Sequence, residues 1–379
     1  MKKSLGRVMA LAAVPLLLLA AGAGSASARP ASGSPPPPKK FEVQSASFVS
    51  AQTGFVLGAR KCSRTDNPAP CPALLEKTVN GGKTWTAVPA PKVPLTQPFQ
   101  TPPKNAVSTV RFMNANVGWL FNPGLWQTTD GGKHWHSITL VNGFFVAHLE
   151  AAAGEVYAIA QNPGRGSDSN RLYQSAVGSG KWTWVRKVAP QVTLTAFGHS
   201  AWTGISPNLW TTTNSGKTWS RLSFSCRPDH PDSSPVAAAS ANNVSIVCVD
   251  AGFPQPGSSL KMVYLSANGG RTFALARQQP ADAGEVYLLA MPVGKPWTVT
   301  IAAASGASYL YESVNLNKPL PSWGVRTFFD GGMSFTDLKY VSGTTAYVVR
   351  FNGSPVLSLS LGLWKTTNGG GTWHLVGTP

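Results

Sequence analysis

The sequence predicts an all-β fold, a seven-bladed β-propeller of four-stranded antiparallel blades. Two observations predict it: an eight-residue pattern that recurs five times, and the lack of any segment with helical periodicity after residue 22. The pattern is Ser/Thr-x-Asn/Asp-x-Gly-x-Thr/His followed by an aromatic residue, and its copies begin at Thr78, Thr128, Thr212, Ser266 and Thr366. Self-similarity of this kind is the signature of a repeat architecture.

Each copy of the pattern is predicted to be a hairpin turn between two strands. The Asn or Asp side chain should bond backbone amides of its own turn, and the Gly should supply a positive φ. The aromatic residue begins the returning strand and can bury its ring between neighbouring sheets, which contributes about 2–3 kcal/mol. The pattern residues are therefore assigned a structural role: Asn80, Gly82, Trp85, Asp130, Gly132, Trp135, Asn214, Gly216, Trp219, Asn268, Gly270, Phe273, Asn368, Gly370 and Trp373.

Two degenerate copies raise the number of units to seven. An apolar residue lies three positions before each Ser or Thr, and it also precedes a third unit at Ser175 and a sixth at Ser313, which have lost parts of the pattern. These apolar residues are Leu75, Leu125, Leu172, Leu209, Val263, Leu310 and Leu363. They span 288 residues over six intervals, so the unit is 48 residues long. This length suits a four-stranded propeller blade.

The residues before each hairpin supply two further strands. In the second unit these are 107–113 and 118–121, which are rich in β-branched and aromatic residues and flank a turn. The hairpin strand follows, and residues 135–140 form the outer strand. Comparable strand pairs are 46–50 with 55–57, 236–239 with 244–249, and 335–340 with 346–349. The ring can close by packing blade 1 on blade 7, with residues 41–44 adding to that contact.

The first residues have the pattern of a secretory signal. Residues 1–28 combine Lys2, Lys3 and Arg7 with an apolar run and a final Ala-Ser-Ala, so we expect a cleavable signal peptide. Residues 29–40 are rich in Pro and should form an extended tether, and residues 41–379 should form a single propeller. No later segment is apolar enough to span a membrane, and no Cys follows the signal for lipid attachment. A secreted or periplasmic monomer is predicted.

The chain is strongly basic. Its formal net charge is +17, and cleavage after Ala28 would lower it to +14. Such a charge favours anionic partners, among them acidic glycans, phosphate-bearing cell-wall polymers and anionic membrane surfaces, although a generally soluble surface explains it equally well. Nucleic acid is not an expected partner of an exported chain without a recognisable nucleic-acid-binding motif. No cofactor and no metal site is predicted.

Four cysteines in an exported chain predict two disulfides. In a propeller, the loops between second and third strands share one end of the ring with the connections that enter each blade. Cys62 and Cys71 both lie in the long loop of blade 1. Cys226 lies in the connection into blade 5, and Cys248 lies near the end of the second strand of that blade. We therefore predict the pairs Cys62–Cys71 and Cys226–Cys248.

The ligand surface is predicted on the irregular loops opposite the hairpins. The loops between second and third strands are long in blades 1, 3, 5 and 7, at residues 58–73, 161–171, 251–262 and 351–361. Binding residues are often carried on loops of a rigid scaffold. The candidate ligand residues, which include one channel residue, are Arg60, Lys61, Arg64, Arg111, Arg165, Arg171, Arg227 and Lys261. A second group of cations, Lys83, Lys133, Lys217 and Arg271, should form an arc on the hairpin side.

The first strand of each blade should line the central channel. Its notable polar residues are Arg111, His148, Glu150, Asp337 and Lys339. His148 and Glu150 share a face because they are two residues apart, and so do Asp337 and Lys339. A His beside a Glu could serve acid and base chemistry, or both pairs could be locally satisfied polar groups. His134 and His136 lie in a hairpin strand without a third ligand, so they are expected to be surface residues.

The hairpin pattern resembles the Asp-box, or bacterial neuraminidase repeat, of sialidases, sortilin-type receptors and two-propeller xyloglucanases. Val117-Gly118-Trp119 followed by the hairpin at Thr128 is similar to the photosystem II assembly and stability factor family. The resemblance covers about residues 41–379. It implies a propeller that acts as a non-enzymatic scaffold binding a protein or polymer, which is the function expected here, through the basic loops.

The alternative that the resemblance offers is a sialidase-like glycoside hydrolase. Sialidases have an Arg triad, an early Arg-Ile-Pro segment, a Tyr/Glu nucleophile pair and an Asp acid/base. The chain has no Arg-Ile-Pro segment. Tyr311 and Glu312 are adjacent but are expected beside the outer hairpin of blade 6, far from the axis. These departures argue against an enzyme, so no catalytic residue is assigned.

Overall fold

The computed structural model describes residues 41–60, 71–96, 102–162, 170–189, 193–226, 232–251, 255–314, 316, 322–331, 334–351 and 362–377. The expected signal peptide and tether lie outside these residues, so their boundaries stay predictions. Every regular element that the structure describes is a β-strand. No helix able to cross a membrane occurs among the described residues.

The strands form seven consecutive antiparallel sheets, which confirms the predicted seven-bladed propeller. Blade 1 contains β1 (Phe41–Phe48), β2 (Gly54–Arg60), β3 (Leu74–Thr78) and β4 (Thr86–Val88), and blade 2 contains β5 (Thr109–Phe112), β6 (Gly118–Phe121), β7 (Leu125–Thr128) and β8 (His136–Ser137). Blade 3 contains β9 (Phe145–Ala152), β10 (Glu155–Gln161), β11 (Arg171–Ala176) and β12 (Thr183–Lys187), and blade 4 contains β13 (Thr193–Phe197), β14 (Ser200–Gly204), β15 (Trp210–Thr212) and β16 (Ser220–Arg221). Blade 5 contains β17 (Asp232–Ala238), β18 (Val244–Ala251), β19 (Ser259–Ser266) and β20 (Ala274–Leu275). Blade 6 contains β21 (Glu285–Ala290), β22 (Val299–Val314) and β23 (Ser322–Gly331). Blade 7 contains β24 (Ser334–Tyr340), β25 (Ala346–Phe351), β26 (Gly362–Thr366) and β27 (His374–Leu375).

Blade 6 has three continuous elements because β22 supplies two strands. β21 pairs with its first part and β23 with its second part. The backbone N–H of Val299 donates to Ser313 Oγ at 3.2 Å. Fourteen residues of extended strand would place these two residues about 46 Å apart. The element therefore reverses direction, and Gly306, midway between them with φ +64°, allows the tight turn.

The ring closes by side-chain packing between blade 1 and blade 7. Among the described residues, each sheet is built from consecutive strands, and none is shared between the first and last blades. Phe41 and Phe48 of β1 are buried in one cluster with Tyr347 and Val349 of β25. The rings of Phe48 and Tyr347 stack with their centroids 3.4 Å apart. The apolar contact that the first strand makes with β25 therefore takes the place of a strand exchange.

Local hydrogen bonds hold the five hairpins in one conformation. In blade 1, Thr78 Oγ1 donates to Asn80 Oδ1 at 3.0 Å and accepts from the Gly82 N–H at 2.9 Å. Asn80 Oδ1 also accepts from the Thr84 N–H at 2.9 Å. The same three bonds recur in blades 2, 4, 5 and 7. The turn is thus closed by bonds between residues at most four apart.

Each hairpin is also fixed to the turn between the first two strands of its own blade. In blade 1 the N–H of Gly81 donates to the carbonyl of Gln52 at 2.7 Å. The equivalent bonds, at 2.7–2.8 Å, join Gly131 to Asn116, Ser215 to His199, Gly269 to Asn242 and Gly369 to Thr344. The hairpins and these turns therefore share one end of the ring, which we name the hairpin face. The opposite end, formed by the loops between second and third strands and by the inter-blade connections, is the loop face.

The second glycine of the hairpin lies against the preceding blade. A Cβ at Gly82 would be 2.3 Å from Val376 Cγ1 of blade 7, and φ at this position is +91°. The neighbouring Trp85 Nε1 donates to the Gly377 carbonyl of the same blade at 2.7 Å. Equally close approaches occur at Gly132 with Val88, Gly216 with Gln174, Gly270 with Leu222 and Gly370 with Glu312. The hairpin thus fixes the contact between blades as well as its own turn.

A disulfide joins Cys226 to Cys248, whose Cα atoms are 5.7 Å apart. It is one of the two predicted pairs, and it links the connection after blade 4 to β18 of blade 5. Cys71 is buried. Its predicted partner Cys62 lies outside the described residues.

Candidate functional site in the central channel

The first strands of the blades enclose a cavity of 580 Å³ on the axis of the ring. Residues of β5, β9, β13, β17, β21 and β24 line it, whereas no described residue of β1 does. One wall, from β13 and β21, is largely apolar and includes Leu194, Phe197 and Leu288. The polar residues that the sequence indicated lie on the wall formed by β5, β9 and β24.

Four charged side chains form an ion-pair network on this wall, which we name the channel cluster. Arg111 Nε lies 3.2 Å from Glu150 Oε1, and Arg111 Nη2 lies 3.3 Å from Asp337 Oδ1. Lys339 Nζ lies 2.6 Å from Glu150 Oε2. The network thus connects blades 2, 3 and 7. The contact between Arg111 of blade 2 and Asp337 of blade 7 spans blade 1, whose strand β1 has no described residue in the cavity lining.

Asp337 also binds blade 1. Its Oδ2 accepts hydrogen bonds from Ser45 Oγ at 2.5 Å and from the Ala46 N–H at 3.0 Å. Ser45 Oγ in turn accepts from the Val110 N–H of β5 at 2.9 Å. Asp337 has φ +55° at a register shift of β24, a left-handed conformation that strains most non-glycine residues. The bonds to blades 1 and 2 compensate this strain and hold three blades together.

The charges of the cluster stabilise one another. Burial would raise the pKa of Glu150, but the positive charges of Arg111 and Lys339 outweigh it, so the pKa of this carboxyl lies below its ordinary value. Burial would lower the pKa of Arg111, but Glu150 and Asp337 outweigh it, so that pKa is raised. Glu150 and Arg111 are therefore charged at neutral pH. With two cations and two carboxylates, the cluster has no net charge.

His148 faces the same cavity without joining the network. Its side chain is exposed to the channel but surrounded by protein walls. Burial lowers its pKa, and the charge of Arg111 adds to this effect while Glu150 opposes it. The ring is therefore neutral at pH 7. His148 and Glu150 are not hydrogen-bonded to each other in the described structure, and Glu150 is engaged with two cations, so the two do not form an acid and base pair.

Two of the candidate ligand residues lie at the loop face and have local contacts. Arg60, at the end of β2, forms an ion pair with Glu76 at 2.7 Å while 45% of its side chain is exposed. Arg171, the first residue of β11, lies over the Phe144 ring at 4.7 Å from its centroid. Four further candidates, Lys61, Arg64, Arg165 and Arg227, lie outside the described residues.

Lys261 does not lie on a surface loop, and its predicted placement is corrected. It is inside β19 and almost completely buried. Its Nζ donates to the carbonyls of Ser259, Ala281, Asp282 and Ala283 at 2.8–3.1 Å. Burial lowers the pKa of Lys261 to about 8, and the charge of Asp282 opposes that shift. The lysine therefore binds the connection between blades 5 and 6.

Among the described residues, those that a sialidase-like enzyme would need do not converge on the channel. Tyr311 is buried and donates from its hydroxyl to the Ala283 carbonyl at 2.8 Å, on the side of blade 5. Its neighbour Glu312 accepts a hydrogen bond from Trp373 Nε1 of blade 7. The two side chains point to opposite sides of β22, as strand geometry requires. Arg111 is the one arginine among the described residues that line the cavity.

No group of three or more His, Cys, Asp or Glu residues lies close enough to hold a metal ion within the described part of the chain. Asp130 and His134 form an isolated pair on the hairpin face, with 2.6 Å between Oδ2 and Nδ1.

Comparison with known proteins places the chain by fold. No protein-family model matches the sequence, and a search of curated proteins finds no match. YCF48 from Cyanidioschyzon merolae superposes with a TM-score of 0.54 at 15% identity, covering 88% of this chain and 97% of that one. YCF48 bound to a D1 peptide superposes with a TM-score of 0.51 at 17% identity, and the match covers 84% of this chain and 91% of that one. An ancestral GH74 enzyme gives 0.52 at 13% identity and covers 88% of this chain, but only 44% of the enzyme. Likeness at such low identity shows the shared propeller fold alone.

Proposed function

We propose that this chain is an exported binding scaffold without catalytic activity, and that its ligand is a segment of a partner protein. The observation that carries the proposal is the state of the channel cluster. Both carboxylates on the axis are held by cations, and the pKa of Glu150 is lowered. Most glycosidases use a carboxylic acid with a raised pKa beside a second carboxylate that is free to react, and sialidases use a free Asp as the acid/base. Both carboxylates of the channel cluster are already engaged in ion pairs.

The proposed ligand surface is the loop face. Arg60 remains partly exposed there despite its ion pair, and Lys92, Lys104 and Arg277 are exposed in the connections between blades. With a formal net charge of +17, or +14 after the expected cleavage, the chain attracts acidic segments over longer range. The solved complex of YCF48 with a D1 peptide supports a protein ligand, because a propeller of this fold and similar extent is bound to a peptide in that structure. An anionic cell-envelope polymer is the competing ligand.

Capture from cell-envelope fractions tests the proposal. The purified chain is immobilised and exposed to fractions of the host at about 0.05 M and about 0.5 M NaCl, with and without protease treatment of the fraction. Capture that is lost after protease treatment, and is reproduced by the identified protein in purified form, supports the proposed ligand. Capture that survives protease but weakens with salt identifies an anionic polymer instead.

A matched variant locates the surface. Lys92→Glu, Lys104→Glu and Arg277→Glu together reverse three exposed charges of the loop face. We expect this variant to lose capture while its thermal unfolding stays unchanged. Turnover of a fluorogenic sialoside by the wild-type chain would refute the non-catalytic scaffold.

A further inference from the structure

A basic arc runs along the hairpin face, opposite the proposed ligand surface. Its residues follow one another through the hairpins of blades 1 to 5, and all five are exposed: Lys83, Lys133, Lys181, Lys217 and Arg271. We propose that this basic arc docks the propeller on the headgroups of an anionic lipid bilayer. The proposal does not depend on the identity of the ligand at the loop face.

The cations of the arc are carried by hairpins that are anchored to their blades in the same way. A backbone N–H of each hairpin donates to a carbonyl of the turn between the first two strands of its blade, at 2.7–2.8 Å. In blade 3, where the hairpin pattern is degenerate, the N–H of Val177 makes this bond to Gly154 at 2.8 Å. Lys83, Lys133, Lys217 and Arg271 lie two residues before the aromatic residue of their hairpins, and Lys181 lies one residue before Trp182. Cations carried on similarly anchored hairpins at one end of the ring can face a flat surface together.

The side chains of the arc make no contact of their own with the described part of the protein. No hydrogen bond, ion pair or ring contact joins any of its five side chains to another described residue. Lys83 instead lies close enough to Lys365 to add to the lowering of the Lys365 pKa, which burial begins. Inside the protein, Lys365 Nζ donates to the Gly81 carbonyl and lies over the Tyr347 ring, whereas the Lys83 ammonium has no such contact among the described residues. An external anionic surface would supply one.

Acidic residues that could neutralise the arc are scarce on the hairpin face. Among the described residues of its hairpins and turns, Asp130 is held by hydrogen bonds from His134. Glu155 lies at the start of β10, after the blade 3 turn. The cations of the arc therefore project a field that these two carboxylates do not balance.

One apolar side chain accompanies the cations. Val79, at the tip of the blade 1 hairpin, is 66% exposed beside Lys83 in the same turn. An exposed apolar residue next to lysines suits the interface of a bilayer, where the methyl groups leave water and the ammonium groups reach phosphate. A soluble polyanion would gain nothing from Val79. This favours a lipid surface over a polymer chain as the occupant.

Vesicle sedimentation tests the proposal. The purified chain is mixed with vesicles of phosphatidylcholine, or of phosphatidylcholine with about a third phosphatidylglycerol. Each cation near an anionic bilayer strengthens binding roughly fivefold, and the effect is screened by salt. We expect binding to the anionic vesicles at about 0.1 M NaCl, loss of that binding at about 1 M, and no binding to the neutral vesicles.

Two matched variants separate the arc from overall charge. The first carries Lys83→Glu, Lys133→Glu and Lys217→Glu on the hairpin face. The second is the loop-face variant with Lys92→Glu, Lys104→Glu and Arg277→Glu, which changes the net charge equally. We expect binding of the first to anionic vesicles to weaken more than tenfold, and that of the second to stay within about threefold of wild type. Thermal unfolding verifies that both variants fold.

The outcomes are distinct. Equal loss in both variants would show that net charge rather than the arc attracts the vesicles, and would refute the proposal. Binding of a soluble polyanion such as polyphosphate through the arc, without vesicle binding, would refute the lipid surface and identify a polymer. The loop-face variant reports on the proposed function separately, because it should lose partner capture while keeping its binding to vesicles.

Discussion

Lys339 and Glu150 are joined across the central channel by an ion pair with 2.6 Å between Nζ and Oε2, although 189 residues separate them in the chain. The first belongs to blade 7 and the second to blade 3, so the pair crosses the positions of blades 1 and 2. Together with Arg111 it lies on the wall formed by β5, β9 and β24, whereas the wall formed by β13 and β21 is largely apolar. The channel is therefore asymmetric, with a polar wall and an apolar one.

Replacing Arg111 should cost far more stability than replacing Lys339. Only 12% of the Arg111 side chain is exposed, and Arg111→Met would leave the buried Glu150 and Asp337 without their shared cation. We expect a loss of about 3–5 kcal/mol in the free energy of unfolding. The Lys339 side chain is 45% exposed, so Lys339→Met should cost less than about 1 kcal/mol. Urea unfolding of both variants checks this, and equal losses would contradict the network described.

Glu312 should make stability depend on pH near neutrality. Burial raises the pKa of Glu312 from 4.5 to about 7 in the folded chain, against the opposing effects of the Trp373 bond and the Arg326 charge. The folded state holds the proton more tightly than the unfolded state does. The contribution of Glu312 protonation to the free energy of unfolding is therefore complete below about pH 4.5 and is lost as the pH rises through 7.

The variant Glu312→Gln keeps the acceptor for Trp373 but removes the titration. Between pH 5 and pH 8, wild type should lose about 2 kcal/mol of unfolding free energy relative to this variant. Urea unfolding at several pH values measures the difference. Parallel profiles of the two proteins would exclude the raised pKa.

Gly82 should be required for closure of the ring. Gly82→Ala adds a Cβ that would lie 2.3 Å from Val376 Cγ1, at a positive φ. Gly154 is the matched control, because it has φ +84° and nothing within 4 Å of its added Cβ. In chemical denaturation we expect Gly154→Ala to lower the free energy of unfolding by about 1 kcal/mol and Gly82→Ala to lower it by about 2–4 kcal/mol. Adding Val376→Ala should restore part of the second loss, and no restoration would show that backbone strain alone is responsible.

Lys261 should be a structural residue. Lys261→Met would remove the donor of four backbone carbonyls in a buried place, for an expected loss of about 2–4 kcal/mol. The exposed Lys104→Met serves as a control and should change stability by less than about 0.5 kcal/mol. Guanidinium unfolding compares the two. If Lys261→Met left the free energy of unfolding unchanged and reduced partner capture, Lys261 would be a ligand residue.

The number of blades could be predicted from single apolar positions. The seven residues that precede the hairpin patterns are all buried, including Leu172 and Leu310 of the two degenerate units. Each marks the third strand of a blade, where an inward apolar side chain is required in every repeat. The pairing of Cys226 with Cys248 was equally accessible, because blade topology places their segments at one end of the ring.

The role of Lys261 could not be predicted in the same way. A lysine near a long loop is normally exposed, so the sequence favoured a surface position. The carbonyls that surround it come mostly from residues 281–283, in the connection that follows the blade. Nothing in the sequence around Lys261 indicates that this connection folds over it.

By itself the sequence determined the repeat, because the hairpin depends on bonds such as those of Thr78 with Asn80 and Gly82, which lie within four residues. The residues that form these local hydrogen bonds are present in each of the five full copies of the pattern. The tertiary structure alone decided that Arg111, Glu150, Asp337 and Lys339 form one network. Strand alternation shows which of these side chains share a face of their own strand. The partners across the channel are set by how seven blades pack into a ring, and that packing follows no short sequence pattern.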